Sequence, residues 1–219
     1  MLNAKAQELV RFAGVTSAPY DMLWGFEANA GYIGHLRRTG GDDRWSKFGA
    51  GVTSTIHHFY RQSPANLLPV SQASYRMKLG DPRPTAPDTA TVVSDTSGRL
   101  IRFEVLPPQR MAAPAAGTSG VDWDPFFAAA GLDAVARRES APAWNPPFET
   151  DARSAWEIDP ATPDGPALRV EAASYAGRPV WFRVLGPWEQ PADAASARPG
   201  PSGAASLVFP LLYLSLIHI

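Results

Sequence analysis

One short pattern occurs twice in this chain, and it constrains the fold more than any other feature. Residues 98–108 (GRLIRFEVLPP) and 177–187 (GRPVWFRVLGP) share a Gly-Arg start, a central Phe and an apolar residue at every second position. Two further landmarks precede each copy in the same order: an Ala-Gly-apolar step (13–15 and 130–132) and a Ser-Ala-Pro step (17–19 and 140–142). Landmarks repeated in one order predict a duplicated structural module.

The repeated segment itself predicts a hairpin. Apolar and polar residues alternate after each glycine, which is typical of a strand with one packed face. Gly98 and Gly177 suit the turn, because glycine adopts backbone conformations that other residues avoid. The incoming strands are predicted at 89–93 and 168–172, and a further strand is predicted at 55–60.

Each hairpin is preceded by a predicted helix. The first is expected over 4–13 with Asn3 as its cap, and the second opens at Asp124, with Asp124 as cap and Pro125 in the first helical position. Gly14 and Gly131 suit the left-handed position that ends a helix. A short third helix is expected after residue 150 or 151, carrying Ala152, Ala155 and Trp156 on its apolar side.

These elements predict an α+β fold of two related modules, each a helix packed on a small antiparallel β-meander. The boundaries follow from the landmarks and from the Pro- and Gly-rich stretches: a first module with insertions at 4–108, a linker at 109–121, a second module at 122–188 and a linker at 189–203. The apolar residues 204–213 are expected to be the truncated start of a transmembrane helix. Residues 214–219 resemble a translated sequencing adapter and are excluded from the fold.

Composition excludes several classes of function. The 219-residue chain has a net charge of −1, so it lacks the positive charge expected of a nucleic-acid-binding protein. It contains no Cys, so disulfides and thiolate metal sites are excluded. Gly-x-Ser-x-Gly, Gly-x-Gly-x-x-Gly and Walker motifs do not occur. No cofactor is predicted.

The most chemically loaded segment surrounds Arg61. Arg61 could hold a carboxylate or stack on a ring, and Tyr60 and Trp24 complete the predicted binding site, expected between the two modules. The alternative is a structural role in which Arg61 pairs with Glu27 or with an aromatic ring. No catalytic residue and no metal ligand is predicted, because His57 and His58 point to opposite faces of a strand and cannot share an ion.

The landmarks together resemble the non-kinase region of bacterial membrane-anchored serine/threonine protein kinases. The residues that carry the resemblance lie at 24–27, 59–64, 98–108, 122–132, 152–157, 168–173 and 177–188. It implies an extracytoplasmic sensory or interaction region in a bacterial cell membrane, here a fragment without the kinase domain. Its partners would be an unknown small ligand or protein, and the membrane through flanking helices. The alternatives are a secreted or periplasmic hydrolase using His57 or His58, and a structural spacer between membrane helices.

Overall fold

A computed structural model describes residues 1–39, 41, 49, 51–68, 78–110, 120–160 and 165–189. These residues contain three α-helices, which are α1 (Leu2–Phe12), α2 (Ala30–Thr39) and α3 (Asp124–Ala130), and a 3-10 turn at Gly51–Thr53. They also contain eight strands: β1 (Asp21–Ala28), β2 (Ile56–Ser63), β3 (Ala90–Asp95), β4 (Leu100–Val105), β5 (Arg137–Ser140), β6 (Ala152–Ile158), β7 (Leu168–Tyr175) and β8 (Arg178–Leu185). Residues Met1–Glu189 form one compact unit.

All eight strands belong to one antiparallel sheet. Their order is β1-β2-β3-β4-β8-β7-β6-β5, so the last strands of the two predicted modules meet in the middle. Phe103 of β4 lies directly opposite Phe182 of β8, and these are the central phenylalanines of the repeated pattern. The α+β fold class is therefore confirmed. The strand order is the one that two modules joined through their last strands would give, but the duplication itself stays a prediction.

Part of the core lies between one face of the sheet and the helices α1 and α3, and we call this side the helix face; Phe59 and Val93 on the other face are buried as well. Phe126 of α3 sits over the central junction, with its ring 5.0 Å from that of Phe103 and 5.5 Å from that of Phe182. Burial of such a side chain stabilises the fold by roughly 1.5–3 kcal/mol. Helix α1 buries Leu9 and Val10 on the same side of the sheet. The aromatic cluster thus joins α3 to both sets of four strands.

The two helix-ending glycines have equivalent geometry. Gly14 and Gly131 are left-handed, with φ of +86° and +69°. The residue after each glycine donates its N–H to a carbonyl five positions back, Val15 to Val10 at 3.2 Å and Leu132 to Phe127 at 2.9 Å. This is the bonding pattern of a Schellman cap, which satisfies carbonyls at the end of the helix.

The Gly-Arg start of each repeat also has a structural explanation. Arg178, from the second hairpin, donates from Nε to the carbonyl oxygen of Ala13 at the end of α1, at 3.3 Å. Arg99, from the first hairpin, packs against Gly131 at the end of α3, where an added Cβ would lie 3.5 Å from its Nε. A cation at the C-terminus of a helix opposes the partial negative charge there. Each hairpin therefore supports the helix of the other half.

Several local predictions are wrong. Residues 152–158 form strand β6 and not a helix, because the segment pairs with β5 on one side and β7 on the other, and this pairing overrides the helix propensity of its alanines. Asn3 lies inside α1, whose cap position is Met1. Trp123 occupies the cap position of α3, while the Asp122 carboxylate accepts the Asp124 N–H at 2.9 Å.

The Ser-Ala-Pro landmark occupies different places in the two halves. Residues 17–19 precede β1, whereas Ser140 ends β5. The predicted tail at 204–213, the residues 214–219 and most of the linkers at 109–121 and 189–203 lie outside the described residues. Among the residues that the structure does describe, no helix has the length and apolar character to span a membrane.

Candidate functional site

The three predicted binding residues lie on two faces of the sheet. Tyr60 and Arg61 are neighbours in β2, so their side chains point in opposite directions. Trp24 of β1 lies directly opposite Tyr60 and shares its side of the sheet. The structure therefore brings Trp24 and Tyr60 together on the helix face and places Arg61 on the other side, which we call the open face.

Tyr60 has a packing role. Its hydroxyl accepts a hydrogen bond from Gln7 of α1 at 3.1 Å and donates one to Gln62 at 2.9 Å. Burial raises the pKa of Tyr60. These bonds fix α1 to β2, whereas the neighbouring Trp24 is half exposed at the edge of the sheet.

Arg61 is fully buried on the open face, with a relative exposure of 0%. It donates to two backbone carbonyls, those of Pro82 at 2.7 Å and Leu79 at 3.3 Å. Its Nε has no hydrogen-bond partner. Glu27 does not pair with Arg61, and its carboxylate instead accepts the Leu79 N–H at 2.6 Å. Glu27 and Arg61 thus hold the same peptide down on the sheet.

The surroundings of Arg61 disfavour the positive charge of its guanidinium group. Burial, followed by the nearby Arg102, lowers the pKa of its guanidinium, while Glu104 and Asp81 act in the opposite direction. Arginine nevertheless stays protonated in proteins. A buried positive charge with one unsatisfied N–H costs stability unless an acceptor reaches it.

Strand pairing places further charges beside Arg61. Arg61 lies opposite Thr91 of β3, and Thr91 lies opposite Glu104 of β4. Arg102 precedes Glu104 by two residues, so both share the open face, and Arg102 Nε lies 3.3 Å from a Glu104 carboxylate oxygen. The Arg102 Nε makes no well-oriented hydrogen bond.

Arg61, Arg102 and Glu104 line a cavity of about 360 Å³, together with Arg83. Phe148 and several other apolar side chains form the rest of its wall. Three guanidinium groups against one carboxylate give the wall an excess of positive charge. A cavity of this size with a few convergent polar groups has the character of a small-molecule site.

A second open-face cavity, of about 210 Å³, adjoins Arg102 and contains His57. His57 Nε2 lies 3.1 Å from the side-chain nitrogen of Asn29, and the Asn29 oxygen accepts the Tyr32 N–H at the start of α2. Burial lowers the pKa of His57 to about 4, and the charge of Asp95 only partly offsets this effect. His57 is therefore neutral near pH 7.

His58 is buried on the helix face, with its Nε2 bonded to Asn3 at 3.0 Å and its Nδ1 3.4 Å from the Ser94 hydroxyl. The two histidines do face opposite ways, as predicted, but neither lies free on the surface. In the described part of the chain, no group of three His, Asp or Glu side chains is arranged to hold a metal ion.

A larger cavity, of about 490 Å³, lies between α1 and α3 on the helix face. Its walls are mainly apolar, including Leu9 and Phe12, and Lys5 and Glu8 are among its polar residues. None of the described residues that line it leaves a buried side-chain nitrogen or oxygen without a partner. This groove therefore offers less chemical specificity than the cavity at Arg61.

The sequence pointed to Arg61 but not to its neighbours. Arg102 and Glu104 are the polar residues of the repeated strand, and their alternation with apolar residues indicates only a face away from the core. The signal that could have identified Arg102 and Glu104 is the presence of charged side chains on a strand in the middle of a sheet. Comparison with protein-family models, curated proteins and solved structures finds no match to this chain.

Proposed function

We propose that this chain is a sensory or interaction region of a bacterial membrane-anchored serine/threonine kinase, that it lies on the extracytoplasmic side, and that it performs no catalysis itself. Its ligand would occupy the open-face cavity at Arg61. The observation that carries the binding role is the cavity lined by Arg61, Arg83 and Arg102, beside which the buried Nε of Arg61 has no protein acceptor.

The chemistry of the cavity favours recognition over reaction. A guanidinium remains charged at physiological pH, so it cannot serve as a general base, but it holds anionic groups through directed hydrogen bonds. Arg61 in β2 and Arg102 in β4 lie on strands of the same sheet, with β3 between them, which gives them fixed positions. Rigid placement of this kind reduces the entropy lost on binding.

The kinase context comes from the resemblance of the repeated hairpins and the aromatic segments at 24–27 and 122–132. The experiment that tests it is determination of the complete gene on both sides of this sequence. We expect an upstream kinase domain followed by a membrane helix. A complete reading frame with neither feature would overturn the kinase assignment.

A functional test uses that full-length protein in membranes. If the cavity is the sensory site, a bound ligand will change autophosphorylation, and the Arg102→Gln variant will lose this response while keeping the basal activity. Arg11→Gln, which removes an exposed arginine of α1 outside the cavity, is the matched control. Equal responses of both variants would argue against the cavity as the sensory site.

A further inference from the structure

We infer that the open-face cavity binds a small organic oxyanion, with a carboxylate or phosphate group against Arg61 and Arg102 and a short apolar part toward Phe148. The inference rests on the proposed function only in treating the chain as a ligand-binding region. It does not depend on the kinase context.

The charge of the wall favours an anion. Arg61, Arg83 and Arg102 face the cavity with only Glu104 as an opposing lining carboxylate. Glu104 lies 3.3 Å from the Arg102 Nε and makes no hydrogen bond to Arg61. A ligand with negative charge would offset this excess, whereas a neutral or cationic ligand would leave it in place.

The hydrogen-bonding state of Arg61 selects an oxyanion in particular. Its two terminal nitrogens already donate to the carbonyls of Leu79 and Pro82, whereas the buried Nε–H has no acceptor within the protein. Carboxylate and phosphate oxygens match the planar guanidinium and form short, charge-assisted bonds with it. One such oxygen at Nε would supply the acceptor that the protein lacks.

The arrangement of the strands allows both arginines to contact one group. Arg61 and Arg102 are two strands apart on the same face, a lateral separation of roughly 10 Å at the backbone. Arg61 is in register with Thr91 and Glu104, and Arg102 lies two residues along β4, opposite Val93; both arginines line the same cavity. In the proposed complex a single oxyanion head lies between the two guanidinium groups.

The rest of the wall indicates what the head is attached to. Leu106, Pro147 and Phe148 line the same cavity; Leu106 directly follows β4, and the other two belong to the segment between β5 and β6. Apolar walls favour a ligand whose non-ionic part is also apolar. Small hydrophilic ions such as inorganic phosphate should therefore bind less tightly than an aromatic acid of similar charge.

The test is calorimetric titration of the full chain with benzoate and with phenyl phosphate, at constant ionic strength. We expect saturable binding of at least one probe at one site, and the preferred probe distinguishes a carboxylate from a phosphate ligand. Arg102→Gln should weaken that binding about tenfold or more, since it removes a charged hydrogen-bond donor. Arg11→Gln, with the same change of charge on α1, should leave the affinity unchanged.

The contact between Arg61 and the ligand is tested in the unsubstituted protein, so the test does not depend on whether an Arg61 variant folds. In a ¹⁵N-labelled sample, the Nε–H resonance of Arg61 should shift during the titration and saturate with the calorimetric dissociation constant. Absence of saturable binding by both probes would overturn the inference, as would equal affinities of the Arg102→Gln and Arg11→Gln variants. Such a failure leaves the gene organisation intact, so it is distinct from a failure of the kinase assignment.

Discussion

The sheet has two halves, β1–β4 and β5–β8. They have matching residues at the helix ends and at the central junction, but they differ in the side chains of the open face. Gly14 matches Gly131 as a helix-ending residue, and Phe103 lies opposite Phe182 at the junction. The register shows where they part. In the repeated pattern, Glu104 corresponds to Arg183. The residue two strands away from Glu104 is Arg61, whereas the residue two strands away from Arg183 is Ala155.

Both halves bury charges on the open face, and Glu171 of the second half differs from Arg61 of the first in its partners. Glu171, 1% exposed, accepts hydrogen bonds from the Arg169 Nε at 2.6 Å and the Ala143 N–H at 3.0 Å. Arg61 reaches only backbone carbonyls and keeps an unsatisfied Nε. The buried Glu171 is thus satisfied within the protein, whereas Arg61 is not, and this difference is the reason for proposing a binding role for Arg61.

The largest expected effect comes from exchanging these two charges for methionine. Glu171→Met should lower the free energy of unfolding by about 3 kcal/mol, because it leaves the Ala143 N–H without an acceptor and removes the buried carboxylate that pairs with the Arg169 Nε. Arg61→Met should cost no more than about 1–2 kcal/mol, since it also removes a donor that already lacks an acceptor. Urea unfolding of both variants measures the difference. A cost for Arg61→Met as large as that for Glu171→Met would assign Arg61 to the fold.

A second effect is confined to the first half, because residues 122–188 contain no histidine. The pKa of His57 is lowered from 6.5 to about 4 by burial, so between these values the unfolded chain binds more protons than the folded one. Stability should therefore decrease as the pH falls from 6.5 to 4, by up to about 3 kcal/mol.

His57→Gln should remove this part of the pH dependence. Unfolding in urea at pH 7 and at pH 4.5 measures it, and an NMR titration of the His57 ring gives the pKa directly. Asp95 and Arg102 are the charged groups that act on the ring, in opposite directions. An imidazole that titrates near pH 6.5 would contradict the buried, neutral state.

The glycines test the equivalence of the two helix ends. Gly14→Ala and Gly131→Ala should each lower the free energy of unfolding by about 1–2 kcal/mol, because both positions have positive φ. Gly14→Ala should be the costlier change, since its Cβ would lie 3.0 Å from the Arg178 Nε. Gly120→Ala, with open space around the added atom, is the control. A negligible cost at one helix end alone would show that the two ends are not equivalent.

The smallest expected effect concerns the arginines that follow the hairpin turns. Arg178→Ala should cost about 1 kcal/mol, because it removes hydrogen bonds to the Ala13 carbonyl and to Asp88. Arg99→Ala should cost about half as much, since its described contact with Gly131 is packing. Thermal unfolding of both variants would rank them, and the reverse order would contradict this account.

The α+β class and the two hairpins could be predicted because their signals are local. The glycine turns and the helix-ending glycines each act over fewer than twelve residues, and the structure retains them. The single packed face predicted from period-two alternation is wrong for β3, β7 and β8, which are largely buried on both faces. Strand β6 could not be predicted in this way, because only its pairing with β5 and β7 makes an alanine-containing segment extended. Strand β1 was missed although Met22, Trp24 and Phe26 alternate with the residues between them; on this edge strand these side chains are exposed and do not belong to the core.

The candidate site was predictable only in part. Arg61 stands out because an arginine follows two aromatic residues, Phe59 and Tyr60, at the end of a predicted strand. Because side chains alternate between the two faces of a strand, Arg61 and Tyr60 lie on opposite faces. The predicted binding site, which grouped Arg61 with Trp24 and Tyr60, did not take this alternation into account. Arg102 joins Arg61 through the order β2-β3-β4. That order depends on contacts between segments far apart in the chain, which no local pattern reports.

The position of β4 has a consequence for synthesis. β4 ends at Val105, but its neighbour β8 begins only at Arg178, about seventy residues later. At ribosomal rates of about 5–20 residues per second, β4 therefore remains an unpaired edge strand for several seconds during synthesis, although it lies at the centre of the finished sheet. An unpaired edge strand can pair with strands of other polypeptides. Chaperone contact during this interval is therefore expected to concentrate on the hairpin that contains β4.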